Sequence, residues 1–260
     1  MPGLLTDLGW YLRAAYIDLR LFATGKAERD LPPLRLRKDV GLGDFRSIGA
    51  ASRRLLIRHG LQPDDRVLDV GCGVGRVAIP LTGTLSPRGS YEGFDVNRSW
   101  IRWCQRNITR AHPRFRFKAV SVANTHYGRG GVDPSRFRFP YEDESFDFVF
   151  AMSLFTHMNA AGVHQYLREA HRVLRPGGTL VASFFFAGDD VADAALDFRV
   201  DRGDHRLLSE SDPDWAVAFA PPLIDEFFSP ERWCDRALEP GHWRNVASDE
   251  FQDVVVAHRI

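Results

Sequence analysis

Apolar positions in the first 25 residues recur every three to four places: Leu5, Leu8, Leu12, Ala15, Tyr16, Leu19 and Phe22. That spacing puts them on one face of an amphipathic helix, and Gly25 supplies a stop. Leu31-Pro32-Pro33 predicts an extended connector, because a proline disfavours helical backbone in the residue before it. A second helix is expected from about 44 to 59, and 61–65 reads as a turn. Beyond it the period changes. Short apolar runs at 66–70, 90–95, 115–120, 146–151 and 179–186 read as strands, with helical stretches near 76–83, 98–111 and 161–174. Strands alternating with helices predict a parallel sheet with crossover connections. The remainder predicts a helix over about 230–238, a turn at Pro240-Gly241 and a final strand over 251–258.

The first strand runs into Asp69-Val70-Gly71-Cys72-Gly73-Val74-Gly75-Arg76, a glycine-rich turn that opens a helix. Glycines there permit tight dihedrals and remove the Cβ atoms that would hold a ligand off the backbone. Dinucleotide enzymes use such a turn too, but space their glycines G-x-G-x-x-G to seat a pyrophosphate on the helix N-terminus. Here the spacing is G-x-G-x-G, and Asp69 precedes the first glycine by two residues. A carboxylate at that point repels a pyrophosphate and suits a ligand with an ammonium and a sulfonium, which favours S-adenosylmethionine (SAM). Twenty residues past Gly75 the second strand ends in Asp95. An acid there accepts hydrogen bonds from both ribose hydroxyls, with Val96 facing the adenine plane. The competing reading makes Asp95 a turn or cap residue before Asn97.

On these residues the chain resembles the class I SAM-dependent methyltransferases of the small-molecule type, well over about 60–186 and loosely elsewhere. Further support comes from Phe139-Pro140-Tyr141-Glu142-Asp143-Glu144-Ser145-Phe146-Asp147-Phe148-Val149, and from Arg172-Val173-Leu174-Arg175-Pro176-Gly177-Gly178-Thr179-Leu180, which turns into the fifth strand. The resemblance implies an α/β, Rossmann-like, seven-stranded mostly parallel sheet with helices on both faces. Residues 1–60 are then an N-terminal helical cap and 61–260 the SAM-dependent methyltransferase domain. Within it, 187–229 reads as a substrate-lid insertion, acidic (Asp189, Asp190, Asp193, Asp197) and aromatic (Trp215, Phe219, Phe227, Phe228). The expected cofactor contacts are Asp69, Gly71, Cys72, Gly73, Gly75, Asp95, Val96, Ser121, Val122 and Met152, and Asp44-Phe45-Arg46 is positioned to approach the pocket. One departure stands out. The acidic residue the family usually places after its third strand is missing from Val120-Ser121-Val122-Ala123-Asn124, leaving Ser121 or Asn124 as substitutes.

Ligands of open α/β sheets sit at the carboxyl ends of strands, so Ala151-Met152-Ser153-Leu154-Phe155-Thr156-His157-Met158 should line the transfer site. His157 is a candidate general base, since imidazole titrates near neutrality; the alternative is that it only caps or packs the following helix. The segment lacks the Asp-Pro-Pro-Tyr or Asn-Pro-Pro-Tyr block of amino-methylating nucleic-acid enzymes, and no Asp-rich cluster points to magnesium.

Composition narrows the classes. At 260 residues the chain fits one large domain, or one with a modest cap. Cys72, Cys104 and Cys234 are too few and too scattered for a disulfide framework or a Cys-rich zinc site. No run of about 18 apolar residues occurs, so no stable membrane insertion is expected, and the location reads as cytoplasmic. With 34 basic and 34 acidic residues the net charge is zero, which argues against a nucleic-acid partner. Arg98, Arg102, Arg106 and Arg110 repeat every four residues, as an anion-binding stripe or a solvated helix face. His126 and Tyr127 lie in a Gly/Arg-rich loop as substrate contacts or as plain surface. The aromatic residues of the first helix either bind a membrane or apolar substrate, or pack on the domain. Oligomeric state has no signature in the sequence. The expected activity is metal-independent methyl transfer to oxygen or nitrogen of a small-molecule acceptor, releasing S-adenosylhomocysteine. The rivals are a SAM-binding protein without transferase activity and a nicotinamide-dependent oxidoreductase.

Overall fold

The computed structural model describes residues 3–25, 28, 30–37, 43–123, 130–188 and 194–260. The N-terminal region folds as α1 (Gly3–Ala23), a single turn α2 (Leu34–Arg37) and α3 (Phe45–Arg58). α1 stops where the periodicity ends: Gly25, at φ 68°, donates its N–H to the Phe22 carbonyl at 3.1 Å. α3 starts at Asp44, whose side chain accepts from the Ser47 N–H at 2.8 Å, a cap that satisfies one orphan donor of the first turn.

The chain then alternates as expected: β1 (Arg66–Val70), α4 (Ala78–Leu81), β2 (Ser90–Asp95), α5 (Arg98–Cys104), β3 (Phe115–Ala119), β4 (Phe146–Ala151), α6 (Ala160–Val173) and β5 (Leu174–Phe184). α5 continues through Gln105–Thr109 as a wider π-type turn. The far end adds β6 (Val200–Asp201), β7 (His205–Leu207), β8 (Val217–Phe219), α7 (Pro221–Phe227), β9 (Trp233–Glu239) and β10 (Asp253–Arg259). Seven strands form one sheet in the order β3-β2-β1-β4-β5-β10-β9. β1 to β5 pair in parallel; β10 and β9 close the edge antiparallel.

Strand alternation divides the core between two faces. Val67, Phe148, Phe150 and Val181 meet Leu55 and Leu56 of α3, Ala78 and Leu81 of α4, and Ile101 and Cys104 of α5. Leu68, Val149, Leu180 and Ala182 meet Tyr166, Leu167 and Val173 of α6 and Ile224 and Phe227 of α7. Both faces are covered, as a parallel sheet requires.

Three expectations change. The helix predicted over 230–238 is the edge strand β9. β10 is buried from Val254 to Ala257, so its outer backbone groups need partners, and Val254 opposite Glu239 and Val256 opposite Ala237 supply them. β5 begins at Leu174 instead of 179. Leu174 pairs with Phe146, residues 175–178 bulge out with Gly177 at φ 71°, and pairing resumes at Thr179 opposite Phe148. Phe219, Phe227 and Phe228, expected to line the lid, pack instead in the main core around Phe184, because β8 and α7 cover that face of the sheet. Trp215 stays half exposed, and Asp197 pairs with Arg199. Asp189, Asp190 and Asp193 lie outside the described residues, as do Asn124, His126 and Tyr127.

Candidate functional site

β1 lies between β2 and β4, so the chain reverses its winding direction beside β1. A crevice opens at such a switch, beyond the carboxyl ends of the strands. On one side stands the glycine loop, with Gly71, Gly73 and Gly75 at φ 80°, 54° and 81°. All three values lie in the left-handed region that favours glycine. The N–H groups of Gly71 and Cys72 both donate to the Phe94 carbonyl at 3.0 Å, tying the loop to the end of β2.

Asp95 completes that junction. Its Oδ2 accepts from the Gly73 N–H at 3.0 Å and its Oδ1 from the Asn97 N–H at 2.8 Å. The Val96 N–H also acts on this carboxyl, which accepts only and, with about four lone-pair sites, keeps capacity for a ligand hydroxyl. Burial pushes its pKa up to about 6, against the opposing pull of those backbone bonds. Asn97, not Asp95, caps α5, accepting from Ser99 and Trp100.

Asp69 sits one strand over, at 3% exposure. Burial raises its pKa to about 7, Tyr91 and Arg76 pull it down, and the charge of Asp95 pushes it up again. The Tyr91 hydroxyl donates to Asp69 Oδ2 at 2.5 Å. Gly93 makes that contact possible: it stands opposite Asp69 in the sheet, and a Cβ there would fall 3.1 Å from the Tyr91 ring and 2.9 Å from Cys72 Cβ. A glycine inside a strand signals such a close approach, so the Tyr91–Asp69 pair, which no motif marks, leaves a trace in the sequence.

The far wall is the chain after β4. Leu154 packs against the glycine loop, its Cδ1 3.0 Å from where a Gly71 Cβ would stand. Met152 is half-buried against the α3–α5 face of the core. Between them Ser153 adopts φ 55°, a strained conformation for a residue with a Cβ. It is held by its N–H to Ser183 Oγ at 2.7 Å and its hydroxyl to Gln252 Oε1 at 3.0 Å, with Ser183 donating to the same oxygen at 2.6 Å. No motif announces this network, which joins the segment after β4, β5 itself and the residue before β10.

The other expected contacts are less uniform. Val96 is half-buried and packs on the α6 face of the core. Ser121 is exposed, and its carbonyl accepts from the Val132 N–H at 2.9 Å. Val122 is 4% exposed, so its side chain belongs to the core. Cys72 is buried with its thiol pushed well up by desolvation, which makes it a packing residue. Phe45 clusters with Val74 of the loop and Trp100. Arg46 instead spends its charge on Glu28 and Asp30.

His157 lies in the turn after the Ser153 segment, and its Nδ1 is 3.1 Å from the Asp214 carbonyl in the β7–β8 connection. A carbonyl only accepts, so Nδ1 is the nitrogen that donates in this contact, which leaves Nε2 as the basic nitrogen of that tautomer. Among the described residues no cluster of His, Cys, Asp or Glu could hold a metal ion. A cavity of about 270 Å³, lined by Ala187, Gly188, His205, Arg206 and Pro221 among others, opens beyond the carboxyl end of β5.

Comparison with known proteins adds a family. The methyltransferase domain family matches residues 67–178. A phthiotriol/phenolphthiotriol dimycocerosates methyltransferase of Mycobacterium ulcerans is 36% identical over 135 residues, covering 51% of this chain and 42% of that protein. Among solved structures, a Pyrococcus horikoshii protein shares the fold with a TM-score of 0.57 at 16% identity, over 85% of this chain and 94% of that one. A SAM-dependent methyltransferase of Methanosarcina mazei does so with a TM-score of 0.54 at 20% identity, over 79% and 97%. The chain spans less than half the length of its mycobacterial relative.

Proposed function

We propose that this chain, which through residues 67–178 belongs to the class I S-adenosylmethionine-dependent methyltransferases, transfers a methyl group to oxygen or nitrogen of a small-molecule acceptor. S-adenosylhomocysteine is released and no metal takes part. The observation that carries this reading is the pair of buried carboxyls beside the glycine loop. Asp69 and Asp95 titrate near 7 and 6 because they are desolvated, and among the described residues Arg76 is the cation that acts on Asp69. Such a cradle favours a ligand that brings positive charge and hydroxyl donors.

S-adenosylmethionine is the cofactor of this domain, and the residues present fit it. The acceptor capacity that Asp95 keeps beside its backbone donors suits a ribose hydroxyl, and Asp69 suits the ammonium of the amino-acid end. The glycine loop offers backbone without Cβ atoms, Val96, Ser121 and the backbone of Val122 would flank the adenine, and Met152 would face the reacting end. When bound, the cofactor supplies an electrophilic methyl group on a sulfonium, open to in-line displacement by a positioned nucleophile. The chain's own part is orientation and proton handling. His157 Nε2 is the atom that takes the acceptor's proton, because the Asp214 carbonyl holds the other nitrogen protonated. Asp214 lies within 187–229, so the segment we assign as the lid also fixes the tautomer of the base. Residues 1–60 are assigned as the cap. Three free cysteines support a reducing, cytoplasmic setting.

A coupled S-adenosylhomocysteine-release assay across phenols, carboxylates, amines and sugars tests this reading. Turnover on one of these classes is expected, with His157→Ala losing on the order of 10²–10⁴ in kcat and keeping its cofactor Kd. Cofactor binding without product on any acceptor would leave a binding module. Normal turnover of His157→Ala would return that residue to a structural role.

A further inference from the structure

We propose that α1, together with the arginine row on α5, seats the protein on an anionic lipid surface. α1 is held to the chain from one side: Ala14 is 3% exposed, and Asp18 accepts from the Leu34 N–H at 2.8 Å and pairs with Arg35 at 3.1 Å. The opposite side carries Leu12, Tyr16, Leu19 and Phe22, at 64%, 60%, 65% and 78% exposure. Their spacing of four, three and three residues makes one continuous stripe. Scattered exposed apolar residues are ordinary; a contiguous stripe of large ones marks an interaction surface.

The charges around it select the occupant. Arg13 and Arg20 are exposed on the same helix and have no acidic partner among the described residues, whereas Asp18 is turned away into its bonds with α2. Leu31 packs with Phe45, Val74 and Trp100, and Leu36 and Trp103 join the same cluster. The α1–α2 segment therefore adjoins α5. On α5 and its continuation, Trp100, Ile101, Cys104 and Ile108 point inward, and Arg98, Arg102, Arg106 and Arg110 are exposed without ion pairs among the described residues. No acidic residue occurs between Asp95 and Asp133, although the whole chain is neutral. The cations of that side are thus left for an external anion.

A nucleic acid would use the arginine row and leave the apolar stripe exposed. A second copy would use the stripe, but four such side chains offer roughly 500 Å², below the ~800 Å² per partner of a standard interface. A lipid surface uses both. Headgroup phosphates meet the guanidinium groups, the stripe enters the acyl boundary, and long arginine side chains reach back to the interface. Docking is peripheral, since no described helix is long and apolar enough to cross a membrane.

Vesicle flotation tests this without reference to turnover or acceptor. The full chain should float with vesicles of phosphatidylcholine containing one part in three phosphatidylglycerol, bind pure phosphatidylcholine at least tenfold more weakly, and lose binding as salt rises. Leu12→Ser/Leu19→Ser/Phe22→Ser and, separately, Arg102→Gln/Arg106→Gln/Arg110→Gln should each cost at least tenfold. Unchanged circular dichroism and cofactor affinity would show that both variants fold. Failure of the wild-type chain to float with the anionic vesicles would overturn the proposal, as would floating variants. So would a dimer by light scattering that the leucine variant dissolves, or duplex DNA binding that tracks the arginines alone.

Discussion

Asp69 and Asp95 are acids placed where their charge is costly. Both pKa values are raised from 3.8, so between about pH 4 and 7 the folded chain holds protons that the unfolded chain has released. Their contribution to stability is therefore fully present below the unfolded value and is lost as pH rises through about 6 and then about 7. A cationic ligand reverses the preference, favouring both carboxylates and expelling their protons. Cofactor affinity should accordingly rise from pH 5.5 to 8, and calorimetry at pH 6.5 in buffers of different ionisation heat should register proton release. Affinity falling over that range, or proton uptake, would contradict the assignment. At this scale the sequence was legible where chemistry is local. Asp69, the glycine loop and Asp95 follow one another in a readable spacing. Tyr91 on Asp69 and Gln252 on Ser153 were not, because each contact spans strands whose register no motif records.

Among the elements, α3 lies directly against the glycine loop. A Cβ on Gly49 would lie 2.4 Å from the Arg76 carbonyl, so helix and loop touch backbone to backbone. Gly49→Ala should cost about 1–3 kcal/mol in chemical denaturation and weaken cofactor binding, because the loop must shift. Gly83→Ala, which meets nothing within 4 Å, should cost neither. Equal behaviour of the two would remove α3 from the site. The central strands were readable from their apolar runs because each is buried on both faces. β9 was not, since it is mostly exposed and is extended only because β10 needs its outer edge paired. The lid aromatics failed for a related reason: composition marks a residue as apolar and is silent on which surface it covers.

For the whole molecule, zero net charge conceals an uneven distribution. The glycine loop gathers buried carboxyls, while the α5 side carries cations without acids. The first arrangement draws a cationic cofactor, and the second leaves a face for anions on the side against which the α2 segment packs. A dinucleotide enzyme would need the reverse at its loop, a pyrophosphate site free of carboxylates. Titration calorimetry with S-adenosylmethionine, S-adenosylhomocysteine and NAD(H) on the wild-type chain and on Asp95→Ala is therefore the most direct test. Both adenosyl ligands should bind the wild type, NAD(H) should not, and Asp95→Ala should weaken both by roughly 10–100-fold, the loss of hydrogen bonds to a charged group. Binding of NAD(H) alone, or adenosyl-ligand affinity unchanged in Asp95→Ala, would contradict the account.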